Sequence, residues 1–124
     1  MKTENIKFKA KRLDNGEWIY GSLIRSTAGV KERAYIVDNF SSMSDYSVAG
    51  VDPSSICQFT GLRDKNGTPI CEGDIVTYKD NNAERRGDIN WDSKAAAFCF
   101  GQDFLFHYPS EYMVVICNKF DKEK

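Results

Sequence analysis

The chain has 124 residues, of which 41% are hydrophobic and 28% are charged, so global disorder is disfavoured and one globular domain is expected. Seventeen basic side chains face eighteen acidic ones, and a net charge of −1 argues against electrostatic steering of the whole molecule toward nucleic acid or an anionic membrane. Because no stretch approaches the ~20 apolar residues of a membrane-spanning helix and the polar start is not a secretion signal, we expect a cytoplasmic protein.

Short segments separated by turn residues predict a mostly β fold (β or α+β). Ile6–Lys11 alternates apolar with basic residues, as a strand with one buried face does. Asn15-Gly16 favours a tight hairpin turn into an aromatic second strand over residues 17–24. A third strand is predicted over residues 34–37. Residues 38–50 are rich in Ser and Asp and have no sustained period, so they predict a loop.

The second half of the chain continues as strands joined by turns. Asn66-Gly67 and Gly73 mark turns that need left-handed backbone angles. The predicted strands are 56–59, 75–78, 87–91, 95–100, 104–106 and 113–117. Because the last three are the most apolar, we expect them to be central.

Residue types that support catalysis or metal binding occur without the spacing they need. The four cysteines (Cys57, Cys71, Cys99 and Cys117) include no pair two residues apart, so we expect no metal and no redox motif. The single histidine, His107, lies among aromatic residues and has no recognisable acid–base partner. We therefore expect no cofactor, and an enzyme is the least favoured of the functions considered.

Several segments together resemble one protein family. They are Gly16-Glu17-Trp18-Ile19-Tyr20-Gly21, Gln58 to Gly67, Ile70, Glu72 to Val76, Gly87 to Trp91 and Val115 to Asn118. This pattern is similar to that of the YopX proteins. The resemblance implies a phage or prophage protein of the bacterial cytoplasm, with a small antiparallel, barrel-like fold that has SH3-like character in its C-terminal half. The family's biochemical role is not established.

The resemblance also suggests an internal organisation and a set of structural positions. A single domain, residues 1–124, would consist of an N-terminal hairpin (5–37), a variable loop (38–52), a signature and barrel region (53–119) and a charged tail (120–124). We expect the signature residues to fix turns, with the two aspartates acting as hydrogen-bond acceptors. These residues are Gly61, Asp64, Asn66, Gly67, Gly73, Asp74 and Trp91.

Three functions are considered on these grounds. The preferred one is an interaction module that self-associates or binds a phage or host protein, because a small β domain must cover its strand edges and the loop carries Phe40, Met43 and Tyr46. The second is nucleic-acid binding through basic residues near Trp18 and Tyr20, although alternation places most of these aromatics on the buried face. The basic residues of the candidate surface are Lys7, Lys9, Lys11, Arg12, Arg63, Arg85 and Arg86. An enzyme is the third.

Overall fold

The structure is a computed structural model that describes residues 7–26, 32–38 and 47–121. Strands make up most of these residues, which confirms the mostly β fold class. They are β1 (Phe8–Lys11), β2 (Trp18–Ser26), β3 (Arg33–Asp38), β4 (Ser47–Val51), β5 (Cys57–Arg63), β6 (Pro69–Cys71), β7 (Asp74–Lys79), β8 (Glu84–Asp92), β9 (Ala97–Phe100), β10 (Asp103–Phe104) and β11 (Met113–Asn118). Short 3-10 helices lie at Pro53–Ser55, Leu105–His107 and Ser110–Tyr112.

The chain divides into two compact units, unit 1 (Met1–Gln58) and unit 2 (Phe59–Lys124). The strands within them pair in an antiparallel manner and form open sheets. The expected barrel-like closure, including the SH3-like barrel in the C-terminal half, is therefore wrong in this respect. The organisation as one domain with the boundaries given above stays a prediction.

Unit 1 contains a twisted ladder in the order β4-β3-β2-β1, and Cys57 and Gln58 at the start of β5 pair with β1. Alternate residues of each strand point to one side and bury an apolar cluster, as the period of two predicts. The fully buried members are Ala10, Ile19, Ala34, Ile36, Ala49 and Val51, with Phe8, Leu23 and Ile56 packed around them.

Two glycines in unit 1 serve different purposes. Gly16 has a φ of 72° in the β1–β2 connection and has open space around it. The chain reverses there as predicted, but the loop is longer than a two-residue turn, since Arg12 N–H donates to the carbonyl of Glu17. A Cβ at Gly21 would overlap the backbone carbonyl of Val37 on β3, so this position requires close backbone approach.

Unit 2 contains the rest of β5, which pairs with β6, and a five-stranded antiparallel sheet in the order β10-β9-β8-β7-β11. The pairing of β5 shifts register between Phe59 and Arg63, and Gly61, with a φ of 92°, lies in this irregular stretch. The buried cluster of the unit is formed by Ile70, Val76, Tyr78, Ile89, Phe100, Leu105 and Met113, with Phe98, Tyr108 and Val115 packed against it.

Several predicted element boundaries are wrong. The predicted loop over 38–50 contains β4 in its second part, where Ala49 and Val51 alternate into the core of unit 1. The predicted strand over 104–106 is mostly a 3-10 helix, Leu105–His107, and only Phe104 belongs to a strand. The predicted strand over 87–91 is longer than expected, because β8 runs from Glu84 to Asp92. Finally, β11 is apolar but lies at the edge of its sheet rather than at its centre.

Candidate functional site

Asp64 holds the turn that follows β5. Its side chain is buried, at 6% exposure, and one carboxylate oxygen accepts the backbone N–H groups of Asn66 and Thr68 at 2.8 and 2.9 Å. Gly67, with a φ of 83°, completes the turn by donating its N–H to the Asp64 carbonyl. The first carboxylate oxygen is therefore fully used by its own turn.

The second carboxylate oxygen of Asp64 reaches a distant strand. It accepts the backbone N–H of Val115 on β11 at 2.9 Å, and the neighbouring N–H of Lys65 donates to the carbonyl of Met113. These are groups on the outer side of β11, the edge strand of the sheet. The turn at residues 64–68 thus covers backbone groups that an exposed edge would otherwise offer to another chain.

Asp74 is the second buried carboxylate, with no exposed surface. It accepts the backbone N–H of Cys71 at 2.7 Å and the side-chain amide of Asn118 at 3.0 Å. Between them, Gly73, with a φ of 86°, donates its N–H to the Ile89 carbonyl and accepts the N–H of Lys119. Asp64 and Asp74 therefore act as buried hydrogen-bond acceptors inside turns.

A basic and aromatic face lies along β1 and β2, on the side away from the apolar cluster of unit 1. The ammonium of Lys9 lies 4.7 Å from the ring of Trp18 and 5.8 Å from that of Tyr20, and the ammonium of Lys11 lies 4.7 Å from Trp18. Trp18 and Tyr20 thus share a face with the lysines, and the expectation that they would face the apolar core is wrong. Lys9 is 4% exposed, so its charge faces rings rather than solvent.

Arg85 on β8 lies in a charged cluster of unit 2. Its guanidinium donates to Asp103 at 2.5 Å and also contacts the hydroxyl of Tyr108, which donates to the same carboxylate at 2.7 Å. These hydrogen bonds raise the pKa of Arg85 and lower the pKa of Asp103. The guanidinium also lies over the ring of Phe100. Arg85 is therefore engaged within unit 2.

The other basic residues of the predicted surface differ in their surroundings. Arg12 pairs with Asp14 at 2.8 Å, and this interaction raises the pKa of the guanidinium. Arg63 lies 5.6 Å from the ring of Phe59 and donates to the Gly67 carbonyl. Lys7 lies just before β1 and is half-buried, and Arg86 is exposed on β8. The predicted surface is thus divided between the two units. Phe40, Met43 and Tyr46 lie outside the described residues.

The remaining sequence candidates show no catalytic arrangement. His107 is exposed and lies edge-on to Phe106, with ring centroids 4.4 Å apart. Trp91 is 46% exposed and packs edge-on against Phe98. The four cysteines are free thiols, and burial raises the pKa of Cys99. Within residues 7–26, 32–38 and 47–121, no group of three or more His, Cys, Asp or Glu side chains is placed to hold a metal ion.

Four strands form sheet edges in the part of the chain that the structure describes, and they differ in how far they are protected. β6 has three residues and begins with Pro69, and β10 has only two residues. β11 is covered by the Asp64 turn and is interrupted by a bulge at Ile116. β4 has five residues in continuous register with β3, and its sequence, Ser47 to Val51, contains no charge and no proline. Residues 11–13 cover its C-terminal end, since Arg12 bridges Val51 and the Leu13 N–H donates to the Gly50 carbonyl. By these criteria the other end of β4, at Ser47 and Val48, is the least protected edge among the described residues.

The free backbone groups of β4 follow from its pairing. The carbonyl of Gly50 accepts the N–H of Leu13, so the backbone groups of Gly50 point away from β3. In an antiparallel ladder, residues two apart point the same way. The N–H and carbonyl of Val48 therefore lie on the free edge, and they have no hydrogen-bond partner among the described residues.

The face beside this edge is apolar. Ile24 is 50% exposed and Val48 is 52% exposed, and in the ladder they lie across from half-buried Tyr35 and Val37. Leu13 is 70% exposed beside Gly50, next to a cavity of about 440 Å³ in unit 1. We call Leu13, Ile24 and Val48 the edge patch. The sequence did not predict this patch because residues 38–50 were predicted as a loop, and Val48 to Val51 show no clear alternation of apolar and polar residues.

A tyrosine cluster in unit 2 was also missed. The Tyr78 hydroxyl donates to Asp80 at 2.6 Å, and this bond together with burial raises the pKa of Tyr78 to about 12. The same bond lowers the pKa of Asp80. The rings of Tyr108 and Tyr112 pack edge-on against Tyr78 at 5.1 and 6.1 Å. The Tyr78–Asp80 bond is local, but the ring contacts join residues that are distant in sequence, and such contacts leave no local signal.

These features define a small, mostly β protein of open antiparallel sheets, with turns fixed by buried aspartates and, in the part of the chain that the structure describes, an open strand end at Val48. The model of the family described as YopX protein matches residues 7–120, and the chain therefore belongs to the YopX family. No curated protein matches the chain. In the part of the chain that the structure describes, no helix has the length and apolar character needed to cross a membrane.

Proposed function

We propose that this YopX-family protein is a non-catalytic interaction module, of phage or prophage type and acting in the bacterial cytoplasm, that binds another polypeptide chain by adding a strand to the free edge of β4. The observation that carries the proposal is the open Val48 N–H and carbonyl at the uncharged N-terminal end of β4. An added strand satisfies such groups with main-chain hydrogen bonds.

The edge patch supplies the apolar contact that strand addition needs. Backbone hydrogen bonds alone give modest net stabilisation, because water competes for the same groups, whereas burial of apolar surface adds about 25 cal/mol per Å². Val48 and Leu13 are both at least half exposed and lie at the edge, and Ile24, 50% exposed, lies on the same sheet two strands further in, on β2. A bound strand with apolar residues at alternate positions would cover Val48 and contact Leu13.

Nucleic-acid binding has less support from the geometry. Lys9 is buried against two aromatic rings, and Arg85 is paired with Asp103, so two cations of the predicted basic surface would have to leave their contacts before they could bind phosphate. Binding of a DNA or RNA oligonucleotide that weakens steeply with salt would favour this alternative over strand addition.

The test is photo-crosslinking in cells with p-benzoylphenylalanine at Leu13, beside the edge, and at Phe106 in unit 2 as a control of similar exposure (70% and 74%). We expect a discrete protein adduct from position 13, mapped by mass spectrometry to an extended segment of the captured chain, and none of that kind from position 106. The adduct should be lost with Val48→Lys, which places a charge on the open edge.

Ile116→Lys is the matched control, because Ile116 is 48% exposed, close to the 52% of Val48, but lies on the covered edge of β11. This variant should leave the position-13 adduct unchanged. Absence of an adduct at position 13, or an adduct that is indifferent to Val48→Lys, contradicts the proposal.

A further inference from the structure

We infer that the cavity beside Gly50 binds the C-terminal residue of a partner polypeptide, with the carboxylate on Arg33 and an apolar side chain against Leu13. The cavity has a volume of about 440 Å³ and lies within unit 1. It is at the end of β4 that residues 11–13 cover, so it is distinct from the open strand end at Val48. The inference therefore adds a second site and goes beyond strand addition.

Gly50 lines this cavity, although its surroundings do not require a glycine. Its φ is not positive and β4 pairs with β3 in continuous register, so the position is neither a left-handed turn nor a bulge. A Cβ at Gly50 would meet only a side-chain atom of Leu13, at an ordinary contact distance of 3.7 Å. A glycine in a strand interior weakens the strand and commonly marks a bulge, a close backbone contact or an approaching ligand. The first two do not apply to Gly50, which leaves the ligand.

The cavity combines apolar walls with a cation. Leu13 is 70% exposed, and Tyr35 and Pro53 are half-buried. The Arg33 guanidinium is exposed and has no hydrogen bond or ion pair with any residue that the structure describes. A guanidinium presents a planar fork of donors that matches a carboxylate. The arrangement therefore favours a ligand that carries a carboxylate beside an apolar group.

Two carboxylates also line the cavity, and both are already engaged. Glu32 forms an ion pair with Arg25, and Asp52 accepts the N–H and the hydroxyl of Ser54 at 3.0 and 2.8 Å. These carboxylates thus have protein partners, whereas Arg33 has none within the described ranges. Charge complementarity accordingly favours an anion over a cation in this cavity.

A chain terminus fits these requirements better than an acidic side chain does. Neighbouring residues of an extended chain point to opposite faces, so an internal Asp or Glu would turn its apolar neighbour away from the cavity. A C-terminal residue instead carries its carboxylate and its apolar side chain on one Cα. The size also fits, because about 440 Å³ lies toward the lower end of the range of ligand sites.

The test is NMR titration of the isotope-labelled full chain with N-acetyl-leucine and N-acetyl-phenylalanine, which mimic an apolar C-terminal residue. We expect saturable shifts of the Leu13, Gly50 and Arg33 signals, with a dissociation constant in the roughly millimolar range for ligands of this size. The corresponding carboxamides, which lack the charge, should bind about tenfold more weakly. The N-methylamide of N-acetyl-aspartate represents an internal acidic residue and should also bind more weakly than the two acids.

Variants of the cavity give matched comparisons. Arg33→Gln should weaken binding of the acids about tenfold, whereas Arg86→Gln, which removes an exposed strand arginine in unit 2, should leave it unchanged. Gly50→Val should fill the cavity and prevent binding. Because a new Cβ meets no backbone, Gly50→Ala should keep or raise the melting temperature. Val48→Lys, which blocks the open strand end, should not affect binding of the acids.

Absence of saturable shifts with both acids overturns the inference, as does binding that is equally strong in Arg33→Gln. Equal binding of the aspartate derivative overturns the assignment to a chain terminus, because an acidic side chain then suffices. A lower melting temperature of Gly50→Ala also counts as a refutation, since the glycine then has a structural role. The NMR spectrum of each variant verifies its fold, and the two arginine variants decide alone if Gly50→Val does not fold. None of these results depends on capture at position 13, so strand addition is tested separately.

Discussion

Replacing Asp64 by asparagine tests how much the hydrogen bonds of this carboxylate contribute to the stability of unit 2. The carboxylate uses both oxygens, one for its own turn and the other for Val115 on β11. Asparagine keeps one acceptor oxygen, which can continue to serve the turn. The side-chain NH₂ group of asparagine would then face the Val115 N–H. Because both groups are donors, the hydrogen bond to Val115 is lost.

The cost follows from the contacts. A hydrogen bond to a charged acceptor contributes roughly 1.5–3 kcal/mol, and an unsatisfied buried donor costs a comparable amount. Since Val115 is only partly buried, some of the loss is recovered by water. We therefore expect Asp64→Asn to lower the free energy of unfolding of unit 2 by about 2–3 kcal/mol.

Urea unfolding followed by Trp91 fluorescence, in a Trp18→Phe background, reports on unit 2 because the chain has one tryptophan in each unit. Asp92→Asn is the matched control. Asp92 uses a single oxygen to accept the N–H groups of Lys94 and Ala95, and asparagine preserves that acceptor. The control should change stability by a few tenths of a kcal/mol. Equal stability of the two variants would refute the role assigned to Asp64.

Two further predictions concern a proton and a glycine. Because folding raises the pKa of Tyr78 from 10.0 to about 12, the native state retains a proton that the unfolded chain loses, so this contribution to stability is complete below pH 10 and is lost as the pH rises toward 12. Tyr78→Phe should make the fall in stability over that range shallower, and unfolding curves with the same pH dependence as the parent would contradict the assignment. Gly21→Ala should cost ~3 kcal/mol or more because the new Cβ meets backbone, whereas Gly16→Ala, which has open space, should cost only about 1 kcal/mol. Similar thermal unfolding of the two alanine variants would show that close approach at Gly21 is unimportant.

The sequence was sufficient where local chemistry decides the structure. Gly67 and Gly73 lie in turns and have positive φ angles, and the aromatic and β-branched run after Gly16 forms β2. The alternation in the first segment also gave the position of β1 and the face on which its lysines lie. In each case the backbone preference of a few adjacent residues determines the result.

The sequence was insufficient where tertiary context decides. β4 has weak strand propensity, with Ser47 and Gly50 among its five residues, and forms because Ala49 and Val51 bury against unit 1. The edge position of β11 depends on sheet order, which hydrophobicity does not encode. The partner of Asp64 lies 51 residues away, so the residue could be predicted as a turn acceptor but its bond to Val115 could not.

The two buried aspartates accept hydrogen bonds from residues far along the sequence, which has a consequence for synthesis of the chain on the ribosome. Asp64 and Asp74 take hydrogen bonds from Val115 and Asn118, both contributed by β11. Until that strand has been translated, these two carboxylates in a nascent unit 2 lack the hydrogen bonds that β11 donates. Burying them at that stage would cost free energy, because part of their hydrogen-bonding capacity would be unsatisfied. Unit 1, whose paired strands are complete by residue 58, faces no such delay. Vectorial synthesis therefore favours a first half that folds early and a second half that waits for its last strand.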